Sequence, residues 1–171
     1  MKILKSISVD GTAAEVDMEH KVKIVEPDVL MEPLLALLEE TQTVPLVISG
    51  SSMTPFLAPG RDTVYLSKAK KPLRKGDMVL YRRHNGYYIL HRVFKADADG
   101  YTMVGDAQTQ LEPGITRDQV CAVVTAVRRK GKLLQRGSFW WAFFEKVWIR
   151  MVPLRPLARN AYCLVKKLLG K

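Results

Sequence analysis

The sequence is poor in the residues that bind metal ions or form disulfide bonds. Its 171 residues include only two cysteines, Cys121 and Cys163, and three histidines. The wide spacing of the two cysteines is typical of neither a zinc site nor a redox pair. We therefore predict no metal and no other cofactor, and we expect both thiols to be reduced.

Long apolar runs are also missing. The longest, residues 139–152, contains Glu145, Lys146 and Arg150, and it is shorter than the ~20 apolar residues of a membrane-spanning helix. Near the N-terminus, Asp10 interrupts the chain before an apolar segment of signal-peptide length. These absences predict a cytoplasmic protein without a membrane-spanning helix, with peripheral attachment to the inner face of the membrane as a further option.

Acidic residues are almost absent from the last quarter of the chain. Residues 128–171 hold twelve Lys/Arg residues and one acid, a net charge of +11, whereas the whole chain carries +10. The rest of the protein is thus almost neutral. A neutral body with a basic end predicts a docking segment for an anionic surface or a partner protein, and it argues against nucleic-acid binding.

The chain is long enough for one domain of ordinary size. Hydrophobic periodicity divides its first 130 residues into two parts. Residues 1–43 contain a short amphipathic helix, predicted from the leucine spacing between Pro27 and Thr41. Residues 44–130 predict an antiparallel β domain, with a hairpin turn at Asn85-Gly86 and a further turn at Glu112-Pro113-Gly114. The fold class is therefore mainly β, and six strands are predicted at residues 44–48, 63–66, 78–82, 87–94, 101–104 and 120–127.

Residues 131–171 predict a basic, aromatic-rich tail with two amphipathic helices. Ser138 is a suitable N-cap for a helix over residues 139–151, and a second helix runs to about Leu169. Tryptophan and phenylalanine beside Lys and Arg suit an interfacial helix on anionic lipid. The alternative is that these aromatic rings pack on the β domain or on a second protomer.

A loop rich in serine and glycine has the composition required to present a nucleophile. It follows the predicted strand 44–48, and Gly50 allows a substrate to approach the backbone closely. Pro55 constrains the turn that follows Ser52. Composition alone favours the plainer interpretation, an ordinary surface loop.

Four short blocks resemble a known family. Residues 49–57 read Ser-Gly-Ser-Ser-Met-Thr-Pro-Phe-Leu, similar to the nucleophile box of type I signal peptidases and LexA-like serine peptidases. Residues 75–82 resemble the Gly-Asp-x-Val strand of that family, residues 89–93 resemble its catalytic strand in the histidine branch, and residues 103–106 resemble its later Gly-Asp turn. The blocks occur in family order, and the resemblance implies a LexA/signal-peptidase-like β domain.

The resemblance implies a role for each matched residue. Ser52 is the nucleophile and His91 is the general base. Asp106 is the expected support of the His91 ring, and Glu112 is the alternative, because the acid that usually follows Gly-Asp-Asn in the histidine branch has no direct match here. A histidine base is plausible chemically, since its ordinary pKa near ~6.5 leaves it mostly neutral at pH 7.

The same loop supplies the candidate donors for an oxyanion. The Ser52 amide is the first candidate, followed by a backbone donor near Gly50 and by the hydroxyls of Ser49 or Ser51. Met53 completes the predicted substrate-binding residues.

These residues predict a serine endopeptidase that cleaves an extended peptide or a leader segment. The family resemblance implies a preference for small residues before the cleaved bond. One alternative is a LexA-like self-cleaving regulator, although residues 1–51 contain neither an Ala-Gly nor a Cys-Gly bond. The other is a catalytically silent peptide-binding module.

Overall fold

The structure, a computed structural model, describes residues 27–156. It confirms the mainly β fold: one helix precedes eight strands, and a short helical segment follows them. The elements are α1 (Pro27–Glu40), β1 (Val44–Val47), β2 (Thr63–Ser67), β3 (Met78–Arg82), β4 (Tyr88–Asp97), β5 (Gly100–Val104), β6 (Glu112–Ile115), β7 (Val120–Arg129) and β8 (Lys132–Gln135), followed by α2 (Phe139–Ala142).

The strands form one antiparallel sheet in the order β1-β2-β7-β3-β4-β5-β6, and β8 pairs with β7. The β3–β4 hairpin turns at Asn85-Gly86, where Gly86 has a φ of 90°, as that dipeptide predicts. The hairpin sets the register Tyr81↔Ile89 and Val79↔His91. This register determines which side chains surround His91.

Strand β3 lies at the centre of the molecule and is buried on both faces. Met78 and Leu80 belong to the larger apolar core, whereas Val79 and Tyr81 point into a smaller core on the other face. Because side chains alternate along a strand, β3 separates two differently lined interiors. The β3 side chains around His91 belong to the smaller core.

The sheet extends further than the sequence predicts. Residues 112–114, predicted as a turn, form β6, which pairs with β5 through Met103↔Glu112. This strand ends the sheet, where the missing N–H of Pro113 does not interrupt a ladder. Lys130 and Gly131, at the predicted end of the β domain, form the two-residue turn of the β7–β8 hairpin, both with positive φ.

The C-terminal segment is helical but irregular. The single helix predicted over residues 139–151 is instead α2, a π-helical turn (Phe143–Val147) and a 3-10 segment (Trp148–Leu154). Ser138 stands at the N-cap position, but its side chain makes no capping hydrogen bond. Trp141 and Phe144 pack into the larger core of the sheet, so this part of the tail follows the alternative of packing on the β domain.

One sequence prediction, the second tail helix to about Leu169, lies outside the described residues. Within residues 27–156, no helix has both the length and the apolar character needed to cross a membrane.

Candidate active site

The Ser52 loop, residues 49–57, connects β1 to the turn that leads into β2. Its own backbone holds it: the amide and hydroxyl of Thr54 donate to the Ser51 carbonyl at 3.1 and 2.8 Å, and the Leu57 amide donates to the Met53 carbonyl at 2.8 Å. Phe56 and Leu57 are fully buried, whereas Ser52 is only partly buried. The apolar end of the loop is thus anchored while its serine stays accessible.

A second turn, residues 105–108, supports the Ser52 loop from below. The Ala107 amide donates to the Ser52 carbonyl at 2.8 Å. A Cβ atom on Gly105 would lie 2.7 Å from the same carbonyl oxygen, closer than real Cβ contacts come. The contact therefore requires glycine at position 105, and it fixes the backbone of the serine itself.

Ser52 and His91 line the same cavity, which has a volume of about 410 Å³. No hydrogen bond joins the two side chains in the described part of the chain, and in apo sites such contacts often shorten only when substrate binds. The cavity wall is mostly aliphatic, and its apolar lining comprises Met31, Leu46, Val47, Ile48, Met53, Leu80, Ile89 and Leu90.

The predicted oxyanion and substrate residues differ in their relation to this cavity. Ser49 and Gly50 line it, and the position where Gly50 would carry a Cβ is open, with no atom within 4 Å. Met53 contributes to the wall from an almost fully buried position. Ser51 is exposed and does not line the cavity; its carbonyl instead closes the turn to Thr54.

His91 lies on β4 with only 2% of its surface exposed. Its Nδ1 atom is 3.1 Å from the Tyr81 hydroxyl and 4.0 Å from a carboxylate oxygen of Glu112. Burial lowers the pKa of His91 to about 4, an effect that Glu112 opposes and Arg83 reinforces. The imidazole is therefore neutral at pH 7, the state that a general base requires.

Glu112 is held as an ionised carboxylate behind Tyr81. Arg83 donates to both of its oxygens at 2.6 Å, and the Tyr81 hydroxyl donates to one of them at 2.7 Å. The Arg83 guanidinium is the main cause that holds the pKa of Glu112 below its usual value. Burial, followed by the hydrogen bond to Glu112, raises the pKa of Tyr81, so the phenol keeps its proton.

Asp106, the first predicted partner of His91, lies elsewhere. Its fully buried carboxylate accepts from Arg92 Nε at 2.9 and 3.1 Å. Arg92 directly follows His91 on β4, so their side chains point to opposite faces of the strand. Asp106 lies on the Arg92 side, and of the two predicted acids it is Glu112 that lies beside His91.

The C-terminal helical segment reaches the same turn that supports Ser52. Arg155 donates to the carbonyls of Gly105 and Gln108 at 2.7 and 2.6 Å, and the Trp148 indole donates to the Asp106 carbonyl at 2.9 Å. Contacts therefore run continuously from this segment through residues 105–108 to the Ser52 carbonyl.

Tyr81, Arg83 and Arg155 were not among the residues predicted from the sequence. A signal for Tyr81 was present in the hairpin register, because Asn85-Gly86 fixes how β3 and β4 pair. Once Val79 faces His91, Tyr81 lies diagonally across from it on the same face of the sheet. Nothing in the local sequence pairs Arg155 with the turn at residues 105–108.

No protein-family model, curated protein or solved structure matched the chain. The fold and the site describe an antiparallel β domain with a serine and a neutral histidine in one apolar cavity.

Proposed function

We propose that the protein is a serine endopeptidase of the signal-peptidase/LexA type, with Ser52 as nucleophile and His91 as general base. The observation that carries the proposal is the shared cavity, in which a partly exposed serine and a buried, neutral histidine lie beside an aliphatic wall. Those two residues, in that environment, are the minimum that acyl transfer through a serine requires.

In each half of the reaction, His91 acts first as a base and then as an acid. The Ser52 oxygen attacks the carbonyl carbon of the substrate while His91 accepts the hydroxyl proton, which gives a tetrahedral oxyanion. The carbon–nitrogen bond then breaks, and His91 returns the proton to the departing amine. Water hydrolyses the acyl-enzyme by the same proton transfers, releases the acid and restores Ser52.

The cavity and the sheet together favour an extended peptide as substrate. Strand β1 is the end strand of the sheet, and the Ser52 loop follows it directly. An end strand can pair with an added peptide strand. Alternate side chains of that peptide would meet the aliphatic wall. We infer a substrate with small or aliphatic residues around the cleaved bond.

The test is a cleavage assay on peptides from a tryptic digest, read by mass spectrometry. Wild-type protein should generate new termini, and Ser52→Ala should abolish them while its circular dichroism spectrum is unchanged. Ser51→Ala is the matched control, because Ser51 is exposed outside the cavity and should be dispensable. Cleavage that survives Ser52→Ala would refute the nucleophile assignment.

Two further outcomes would replace the proposal by an alternative. Peptides that bind the wild-type protein without being cut would identify a peptide-binding module. Loss of a fragment from the protein itself at alkaline pH, prevented by Ser52→Ala, with no cleavage of added peptides, would identify a self-cleaving regulator.

We also propose that the C-terminal segment docks the protein on an anionic membrane surface. Phe139, Trp140, Val147 and Leu154 are 73, 47, 46 and 50% exposed, at positions where a surface residue of a helix would normally be polar. The excess positive charge of residues 128–171 complements anionic headgroups.

Vesicle co-sedimentation tests this docking. The protein should bind vesicles that contain phosphatidylglycerol at low salt and bind them less at high salt. It should not bind vesicles of pure phosphatidylcholine. Phe139→Ser with Trp140→Ser should weaken binding, whereas Tyr87→Ser, which removes an exposed aromatic ring at the β3–β4 turn, should not. Absence of binding to anionic vesicles at low salt would refute the proposal.

A further inference from the structure

Four side chains form a continuous row beside the Ser52 cavity, and two of them, Arg83 and His91, line that cavity. Arg83 binds Glu112 at 2.6 Å, Glu112 binds the Tyr81 hydroxyl at 2.7 Å, and that hydroxyl lies 3.1 Å from His91 Nδ1. Tyr81 and His91 are buried, whereas Arg83 and Glu112 lie nearer the surface. The row thus leads from a solvent-facing ion pair to the buried imidazole.

Counting protons along the row fixes their positions. The ionised Glu112 can only accept hydrogen bonds, and the Tyr81 hydroxyl has a single proton to donate. If that proton pointed at His91, the bare phenol oxygen would face a carboxylate oxygen at 2.7 Å, which is strongly repulsive. The proton therefore lies between Tyr81 and Glu112.

The oxygen of Tyr81 is then an acceptor towards His91. Nδ1 lies within hydrogen-bond distance of that oxygen and must carry the hydrogen of the imidazole. In a neutral ring the other nitrogen, Nε2, is left with a free lone pair. That nitrogen is the one able to take a proton from a nucleophile in the cavity.

We propose that Tyr81, backed by Glu112 and Arg83, is a positioning residue that keeps the His91 proton on Nδ1 and leaves Nε2 free to accept the proton of Ser52. The arrangement does the work of the aspartate in a Ser-His-Asp site with a phenol inserted between acid and imidazole. Its role in catalysis rests on the proposed peptidase function, but the tautomer itself does not.

The row also supports the charged state of the ring. When His91 gains a proton, its positive charge faces Glu112 at 4.0 Å, and the Tyr81 oxygen still accepts from Nδ1. Arg83, the other charge facing the ring, has the opposite effect on the pKa of His91, and its effect is smaller than that of Glu112. The site can therefore stabilise a transient imidazolium although burial disfavours a permanent one.

The test is nitrogen-15 NMR of the histidine rings at pH 7, with His91→Gln identifying the His91 signals among the three histidines. The wild type should show a protonated Nδ1 and an unprotonated Nε2. Glu112→Ala should reverse this tautomer, because the Tyr81 proton then turns towards Nδ1. Tyr81→Phe should remove the preference for Nδ1–H, and Tyr87→Phe should leave the wild-type pattern unchanged.

A wild-type ring protonated on Nε2, or a Glu112→Ala ring that keeps its proton on Nδ1, would overturn the proposal. The NMR result does not depend on cleavage, so a failed peptidase assay and a failed tautomer test are distinguishable. If cleavage is found, Tyr81→Phe should lower kcat by at least about tenfold with KM unchanged. A purely structural role for Tyr81 would leave the tautomer in place.

Discussion

Gly105 lies directly beneath the carbonyl of Ser52, so close that a Cβ atom would stand 2.7 Å from the oxygen. Through this contact, a turn more than fifty residues away in sequence positions the backbone of the predicted nucleophile. Positioning of the serine is therefore a property of the folded domain, and substitutions in the supporting turn should affect it.

We expect Gly105→Ala to push the Ser52 loop away and to reduce cleavage strongly, with a loss of stability on the order of 1–3 kcal/mol typical of forced overpacking. Gly50→Ala is the matched control for stability alone, because a methyl group there meets no protein atom but lies in the lining of the cavity. Urea unfolding measures the free energy of unfolding of each variant, and the peptide assay measures the loss of cleavage in Gly105→Ala. Equal unfolding free energies for the two variants would contradict the contact.

The depressed pKa of His91 predicts how stability changes with pH. Between the unfolded value near ~6.5 and the folded value of about 4, the unfolded chain binds a proton that the folded protein excludes. Unfolding should therefore become easier as pH falls through this window, by up to about 3 kcal/mol.

Urea unfolding at several pH values between 7 and 4 measures this loss, and His91→Gln is the comparison. Other acids titrate in both proteins, so the difference between the two curves isolates the imidazole. Parallel curves for wild type and variant would show that His91 is not shielded from protonation.

The Arg92–Asp106 pair predicts a large effect on stability. Asp106→Asn leaves the buried guanidinium without its counter-charge, and such losses typically cost about 3–5 kcal/mol. Asp97→Asn, at an exposed pair with Lys95, should change little. Thermal unfolding measures both, and the His91 tautomer of any folded Asp106→Asn protein should match the wild type, since Asp106 lies on the other face of β4.

The contacts from the C-terminal segment predict that it controls the Ser52 loop. Arg155→Met removes the donors to the Gly105 and Gln108 carbonyls, each of which contributes about 1.5–3 kcal/mol when the donor is charged. The Ala107 amide, which donates to the Ser52 carbonyl, should then exchange its hydrogen faster. Arg150→Met, at an exposed neighbouring position, should not change this rate.

Much of the fold was predictable because its signals are local. Alternating apolar residues predicted six strands with bounds close to those observed, and Asn85-Gly86 predicted the central hairpin. Strand β6 was missed because Pro113 and Gly114 give a strong turn signal. Its pairing with β5 is possible only at the end of the sheet, a position that local sequence does not reveal.

The site was predictable in part for the same reason. The motifs placed Ser52 and His91, and the two line one cavity. The choice between Asp106 and Glu112 required knowledge of which face of β4 each acid approaches. The face that each acid approaches depends on pairing across three strands. It also depends on the buried Arg92, which binds Asp106, and no local sequence pattern predicts that contact.

The support that Trp148 and Arg155 give to the turn at residues 105–108 has a consequence for synthesis. The ribosome makes Ser52 and His91 well before it makes these two residues, so an emerging chain holds both reactive groups without the brace that orders the serine. Under the proposed peptidase function, we expect the nascent protein to leave neighbouring peptides uncut until residue 155 has left the ribosome.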